Sequence, residues 1–326
     1  MVDPIRDNSD AVSRRPLRPR SNTAIGPRVA TVIVVVVGLV LSAVSAASGQ
    51  PQRSGKTQWI LFSGLPGGSG VEQIFRITPS GKGLKQLTRG AYPAQAPAFS
   101  PNGKRIAFAR LGAGIFSMNV DGTGLRRLTK NGRDSFPAWS PSGKQIAFIR
   151  PFSHGWRIHI MSASGARERE LRRAPSAGRP SWIVPGLVIP TSGELATINP
   201  RTGRVQKLFG ALIDASTGMS STAVAPDLSY ATFVGPRPPI PGDKDCGEGV
   251  PCPHFAVYIQ DLRHRKAPRT LARDAGPASF SPGGTSVALV ARNRLFFWRF
   301  KDGNWRSITT GTVLPTVSAP PAWQPR

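Results

Sequence analysis

Residues 105–108 read Arg-Ile-Ala-Phe, with bulk at Ile106 and Phe108 and the small Ala107 between them. A period of two marks a strand, and this version of it loads one face of a sheet while leaving the other low enough for a second sheet to approach. Similar short runs recur along the chain. Residues 96–110, APAFSPNGKRIAFAR, return forty positions later as 136–150, FPAWSPSGKQIAFIR, identical at ten of fifteen places. The segment that follows the first copy, GIFSMNVDGTGLRRLT, ends at Thr129 and is preceded forty-one residues earlier by QIFRITPSGKGLKQLT, ending at Thr88. One unit therefore holds four strands, A to D, of the kinds PAFS, RIAFAR, GIFSMNV and LRRLT. SPNG or SPSG separates A from B, and DGTG or SGKG separates C from D. In such turns proline presets one dihedral and glycine accepts positive φ, so the chain reverses in a few residues.

A period near forty residues built of short strands predicts a β-propeller, because one four-stranded blade cannot bury both faces without neighbours. Weaker copies stand at 278–289, at 223–233 (with Leu228 where glycine stood) and at 179–208, which keeps Trp182. The array opens at TQWILFSG, residues 57–64, which fits strand B with no strand A before it. It ends at PAWQPR, residues 321–326, which matches PAWSPS of 137–142 at four of six positions and fits strand A. The expected fold is all-β: a six-bladed propeller over residues 57–326, closed by the C-terminal strand completing the first blade. The aromatics ending strand A, Phe99, Trp139, Trp182, Phe280 and Trp323, are expected to fill the gaps between blades.

FSPNGKRIAF at 99–108, WSPSGKQIAF at 139–148 and the DGTGLRRLT tail at 121–129 resemble the TolB-type β-propeller repeat, a relative of the WD repeat. The resemblance covers roughly residues 57–326 and implies a six-bladed propeller that usually binds other proteins and sometimes serves as a substrate gate. Where that family places aspartate in its SPDG turn, this chain has Asn102, Ser142 and Gly283, with an aspartate only at Asp227.

The other segments bear on location and partners. Residues 1–28 form a basic tail, expected to be disordered. Residues 29–47, VATVIVVVVGLVLSAVSAA, carry no charge and as a helix would reach about 28 Å, near the thickness of a bilayer core. Six arginines and three aspartates precede that run, which favours a cytoplasmic amino terminus and an extracytoplasmic remainder. An uncleaved single-pass anchor is expected, with a cleaved signal segment as the alternative. Residues 48–56 then form a linker. Of the formal +26, +23 falls after residue 47. Outside the cytoplasm the acidic partners for such a surface are lipid headgroups and anionic wall polymers, unless the charge serves solvation alone. The basic runs 167–173 and 263–269 have no interleaved aromatics, so no nucleic-acid partner is expected.

The two cysteines, Cys246 and Cys252, lie in PGDKDCGEGVPCPH with Gly247 and Gly249 between them, and a disulfide is the expected pairing in an oxidising exterior. A metal reading would recruit Asp243, Asp245, Glu248 and His254, but the spacing is not that of a structural zinc site, so no metal or other cofactor is expected. The same four residues become candidates for a binding loop, because 235–254 is long for a connection between strands. His154, His159, His254 and His264 stand in no HExxH motif and beside no serine elbow, and no catalytic residue is assigned. The function expected from sequence is a membrane-anchored protein-binding or scaffolding propeller of the bacterial envelope, with an unidentified envelope protein as partner. The alternatives are a hydrolase or lactonase centred on the channel, and a binder of anionic wall polymer or lipid.

Overall fold

The computed structural model describes residues 58–68, 70–153, 155–171, 180–182, 186–191, 194–209, 221–236, 255–264, 266–316 and 318–325. These belong to the compact unit that runs from Gly55 onward. The tail, the apolar run 29–47, the linker and all of 237–254, with Cys246, Cys252, Asp243, Asp245, Glu248 and His254, lie outside the described residues. No helix among the described residues is long and apolar enough to cross a membrane.

Six antiparallel sheets follow one another along the chain. The first holds β1 (Ile60–Leu65), β2 (Gln73–Ile77) and β3 (Lys85–Gln86), and the second β4 (Ala94–Phe99), β5 (Arg105–Arg110), β6 (Gly114–Asn119) and β7 (Arg126–Arg127). Blade 3 comprises β8 (Ser135–Trp139), β9 (Gln145–Phe152), β10 (Gly155–Ser162) and β11 (Arg169–Glu170). Blade 4, the poorest copy in sequence, comprises β12 (Ser181–Trp182), β13 (Leu187–Thr191), β14 (Glu194–Ile198) and β15 (Val205–Phe209). Blade 5 is β16 (Ser221–Val224), β17 (Tyr230–Pro236), β18 (Phe255–Asp261) and β19 (Arg269–Arg273), and blade 6 is β20 (Ser279–Phe280), β21 (Ser286–Ala291), β22 (Arg294–Arg299) and β23 (Trp305–Ile308). Two short strands remain, β24 (Leu314–Pro315) and β25 (Ala322–Trp323). Both pair with β1, setting Gly64 opposite Pro315 and Ile60 opposite Trp323. First strands of successive blades touch: β4 meets β8, β8 meets β12, β16 meets β20, β20 meets β25, and β25 meets β4.

The all-β, six-bladed expectation holds, and two details differ from it. The inner strand of blade 2 begins at Ala94, three residues before the proline that suggested its start. The C-terminal segment pairs with β1 as two short strands, β24 and β25, with residues 316–321 between them, rather than as one.

Packing follows the alternation. Ile106 and Phe108 face blade 1, joining Leu61, Ile74 and Leu87, while Ala107 and Ala109 let Ile146, Phe148 and Met161 of blade 3 approach from the other side. The strand-A aromatics all sit between blades: Phe99 between 1 and 2, Trp139 between 2 and 3, Trp182 between 3 and 4, Phe280 between 5 and 6, and Trp323 between 6 and 1. Each such ring, removed from water, contributes about 1.5–3 kcal/mol.

The A-to-B turns repeat one geometry. Gly103, Gly143 and Gly284 have φ of +65°, +68° and +66°, and each donates its N–H, at 2.8 Å, to the carbonyl of Ser100, Ser140 or Ser281. In blade 5 Leu228 takes that place, with φ +57° and its N–H 2.9 Å from the Ala225 carbonyl. A leucine held left-handed costs about 1–2 kcal/mol. Asp227 offsets part of that by accepting from the Ser229 N–H at 3.1 Å.

Candidate functional site

The antiparallel meander places the starts of strands A and C and the ends of B and D on one face of the ring, here called the upper face. In blade 2, for example, Arg110 at the end of β5 stands opposite both Ala94 and Gly114. Near this face the inner strands leave regular pairing. The register shifts between Gln95 and Ala98 and between Ser135 and Ala138, and the residues before Pro97 and Pro137, Ala96 and Phe136, have φ of +52° and +51°. Strain of this kind persists only where surrounding structure holds it.

At blade 1 that support comes from a buried carboxylate. Glu72, just before β2, accepts hydrogen bonds from the Thr316 and Ser318 hydroxyls on one oxygen and from the Gln95 side-chain amide on the other. Its carbonyl accepts from the Ala94 N–H at 2.8 Å. Beside it the Gln73 side-chain carbonyl accepts from the Thr88 hydroxyl at 2.7 Å, and the same hydroxyl accepts from the Ile74 N–H at 2.9 Å. Glu72 thus ties the segment between β24 and β25 to the inner strand of blade 2, with both its oxygens engaged.

Between blades 2 and 3 lies an ionic ladder. Asp134, whose side chain is fully buried, grips Arg150 with two bonds, Nε–Oδ1 at 2.6 Å and Nη2–Oδ2 at 2.8 Å. Arg150 also meets Glu168 at 2.8 Å, and the bond to Asp134, with smaller help from Glu168, raises the guanidinium pKa against burial. His159 stacks on Phe148 with ring centroids 5.4 Å apart. Its Nδ1 is 3.1 Å from Glu168 Oε1 without the alignment of a hydrogen bond. Burial first, then Arg150, lower its pKa against the opposing pull of Glu168, Asp134 and Glu170. In blade 2 the position of His159 is held by Phe116, which stacks on Phe108 in the same way, and that of Asp134 by Ala94.

This sets a pH dependence. The unfolded histidine binds its proton near pH 6.5 and the folded one only at lower pH, so between the two the unfolded state holds more protons. Stability contributed by neutral His159 is therefore full above pH 6.5 and declines as pH falls below it, by at most about 1.4 kcal/mol per pH unit. Urea midpoints measured from pH 7.5 down to about 5 are expected to fall more steeply for the parent than for His159→Phe. Parallel curves would remove His159 as the cause.

Exposed bulk divides between two kinds of position. Leu84, Leu125, Val205 and Trp305 are one repeat position, three residues before Leu87, Leu128, Leu208 and Ile308, and belong to the outer edges of the blades. The other five, Tyr92, Leu111, Trp156, Phe255 and Leu314, fall at several repeat positions, with Trp156 and Phe255 equivalent at the start of strand C, and all lie on the upper face. Phe255 and Pro236, paired across blade 5, flank the 237–254 segment, which places its attachment on that face too.

Cations gather beside two of these. Arg89 and Tyr92 precede β4, Leu111 follows β5, and Lys130 and Arg133 precede β8. The loops are joined: Arg110 Nη2 donates to the Arg89 carbonyl at 3.1 Å, the Leu111 N–H to Pro93 at 3.0 Å, and the Gly112 N–H to Gly132 at 3.0 Å. Tyr92 lies so close over Gly112 that a Cβ there would stand 3.3 Å from the ring. Arg127 reaches the same region, donating to the carbonyls of Thr129 and Lys130 at 3.0 and 3.2 Å. Sequence reasoning assigned none of these residues to a site. The signal available was a difference between repeat copies, Ala94 against Asp134. Among the described residues no three of His, Cys, Asp and Glu converge as metal ligands.

No family model and no curated protein sequence matches the chain. Solved structures do. TolB from Acinetobacter baumannii superposes with a TM-score of 0.61 at 19% identity, over 87% of this chain and 70% of that one. The fold is that of a TolB-type β-propeller. A putative TolB from Agrobacterium tumefaciens matches with a TM-score of 0.51 at 12% identity, over 82% of this chain and 94% of that one. A chain of a nidogen/laminin complex shares the shape with a TM-score of 0.59 at 10% identity, over 82% and 98%. The TolB-type ring thus carries a departure from its repeat at blade 3 and an aromatic, basic upper face across blades 1 to 3.

Proposed function

We propose that this TolB-type propeller is a protein-binding module, held at the membrane by residues 29–47 with the ring outside the cytoplasm and its partner received on the upper face. We also read β25 as the strand that closes the ring. The observation that carries the binding reading is the placement of exposed bulk: among the described residues, every exposed large apolar side chain outside the outer-edge repeat position lies on that one face. Apolar side chains gathered on one face, with Tyr92 and Leu111 on adjoining loops, favour a partner there over solvent alone. A chain of similar shape occurs in a solved nidogen/laminin complex, which lends support to a protein partner.

The test is site-specific photo-cross-linking in intact cells. A photoreactive residue at Tyr92, Trp156 or Phe255 is expected to yield a discrete adduct, and one at Trp305 or Leu125 none. Adducts from the outer-edge positions alone would refute the assignment of the face.

A further inference from the structure

We infer that the basic surface across blades 1 to 3 is the docking site for an acidic peptide segment of the partner, carboxylates meeting Arg89, Arg110 and Arg133 and an apolar side chain resting on Tyr92 and Leu111. The inference rests on the protein-binding reading of the upper face and specifies the partner's chemistry there.

Charge comes first. Arg89, Arg110, Arg127, Lys130 and Arg133 cluster on joined loops, and among the described residues none of them has an ion pair. The loops 89–93, 111–113 and 130–133 contain no carboxylate. The acidic residues next to them are already committed, Glu72 to Thr316, Ser318 and Gln95, and Asp134 to Arg150. Like charges held together repel, and an incoming anion relieves that repulsion.

Other blades treat such arginines differently. In blade 3 the counterpart of Arg110 is Arg150, which has Asp134; in blade 6 Arg292, one place further along, is 3.3 Å from Asp274. Blade 2 puts Ala94 where the carboxylate would stand. Arg110 is left with one carbonyl, the faces of Phe116 and Phe108 at 5.1 and 5.8 Å, and a buried Nε–H that finds no acceptor. Desolvation lowers the pKa of this guanidinium, as expected for a cation without a counter-charge.

The chemistry favours a peptide. Four of the five cations are arginines, whose planar forks match carboxylates in pairs. Tyr92 is 53% exposed and its ring lies against Gly112, so it offers a fixed apolar platform amid the charges. Acidic residues alternating with apolar ones use both features, whereas a phosphate polymer leaves the platform unused.

Full-length protein is titrated with a short fluorescein-labelled peptide alternating glutamate and leucine. Parallel arms use a glutamine and leucine peptide, vesicles rich in phosphatidylglycerol, and soluble polyphosphate. The acidic peptide is expected to bind at least about tenfold more tightly than its glutamine counterpart, with Arg89→Gln, Arg133→Gln and Tyr92→Ala each weakening it by about tenfold. Arg110→Gln is expected to do the same, and the two exposed arginine variants keep the test valid if that one misfolds. Arg263→Gln, whose guanidinium is paired with Asp227, is expected to leave binding unchanged. Equal binding of the two peptides, or indifference to the three exposed-site variants, overturns the inference. Tighter binding of vesicles or polyphosphate with the same variant dependence overturns it in favour of a lipid or phosphate ligand. If the peptide fails while cross-links still form from Tyr92, the acidic-segment inference falls and the protein-binding reading stands; if the cross-links are also missing, both fall.

Discussion

Removal of residues 321–326 is expected to abolish cooperative folding of the propeller. Trp323 is buried among Ile60, Phe62, Val290, Leu295 and Phe297, its ring 5.6 Å from that of Phe297 and its indole N–H 3.3 Å from the Ser279 carbonyl. It therefore bridges the sheets of blades 6 and 1. Gln324 adds a second tie: its N–H donates to the Trp59 carbonyl at 2.9 Å and its side-chain amide to the Gly103 carbonyl at 3.1 Å, in blade 2. Truncating a buried tryptophan costs about 3–5 kcal/mol, a large part of the roughly 5–15 kcal/mol of a whole domain. Trp323→Ala alone should then lower the urea midpoint strongly, and the deletion, which also bares the edge of β1, should leave a protease-sensitive chain. Urea unfolding followed by tryptophan fluorescence, with limited proteolysis, checks both. An unchanged midpoint in the deletion would mean that β25 does not close the ring.

Periodic features were legible in the sequence and departures from the period were not. Phe99, Trp139, Trp182, Phe280 and Trp323 could be placed between blades because one position in every unit meets the neighbouring sheet, so five copies vote on it. Even the poor copy at 179–208 forms its four strands, since β12 to β15 need only bulk at alternate places. The start of the inner strand was misplaced because Pro97 looks like an opening residue. The left-handed Ala96 in fact lets the chain leave the register and pair again above it, with Ala94 opposite Arg110. Glu72 was invisible for a different reason. Its partners Thr316 and Ser318 stand 244 and 246 residues away, and no local pattern records such a contact. The candidate loop residues Asp243, Asp245, Glu248 and His254, with Cys246 and Cys252, lie outside the described residues, while the upper-face cluster arises from three loops that only the fold brings together.

Asp134→Ala is expected to destabilise the ring by about 3 kcal/mol, at the low end for breaking a buried ion pair. The low end applies because Arg150 keeps Glu168 at 2.8 Å and its side chain is 24% exposed, so water takes over part of the lost contact. What remains is a guanidinium facing the alanine-lined surface of blade 2 with its best acceptor gone. The pair as a whole contributes far less than this figure, because taking both charges out of water offsets most of their attraction. Asp134→Ala combined with Arg150→Met is accordingly expected to lie within about 1 kcal/mol of the parent, a coupling that a double-mutant cycle measures directly. Blade 2 already contains half of this experiment, with Ala94 in place of the aspartate and Arg110 turned to the Arg89 carbonyl and two phenylalanine rings. If Asp134→Ala instead costs less than about 0.5 kcal/mol, Arg150 has found an equivalent escape in blade 3. If the double variant is as unstable as the single one, the aspartate stabilises the bulge at Phe136 rather than the charge of Arg150. Urea midpoints of the four proteins separate these outcomes, and only a large single loss with recovery in the double variant makes the ladder an ion pair held between two blades.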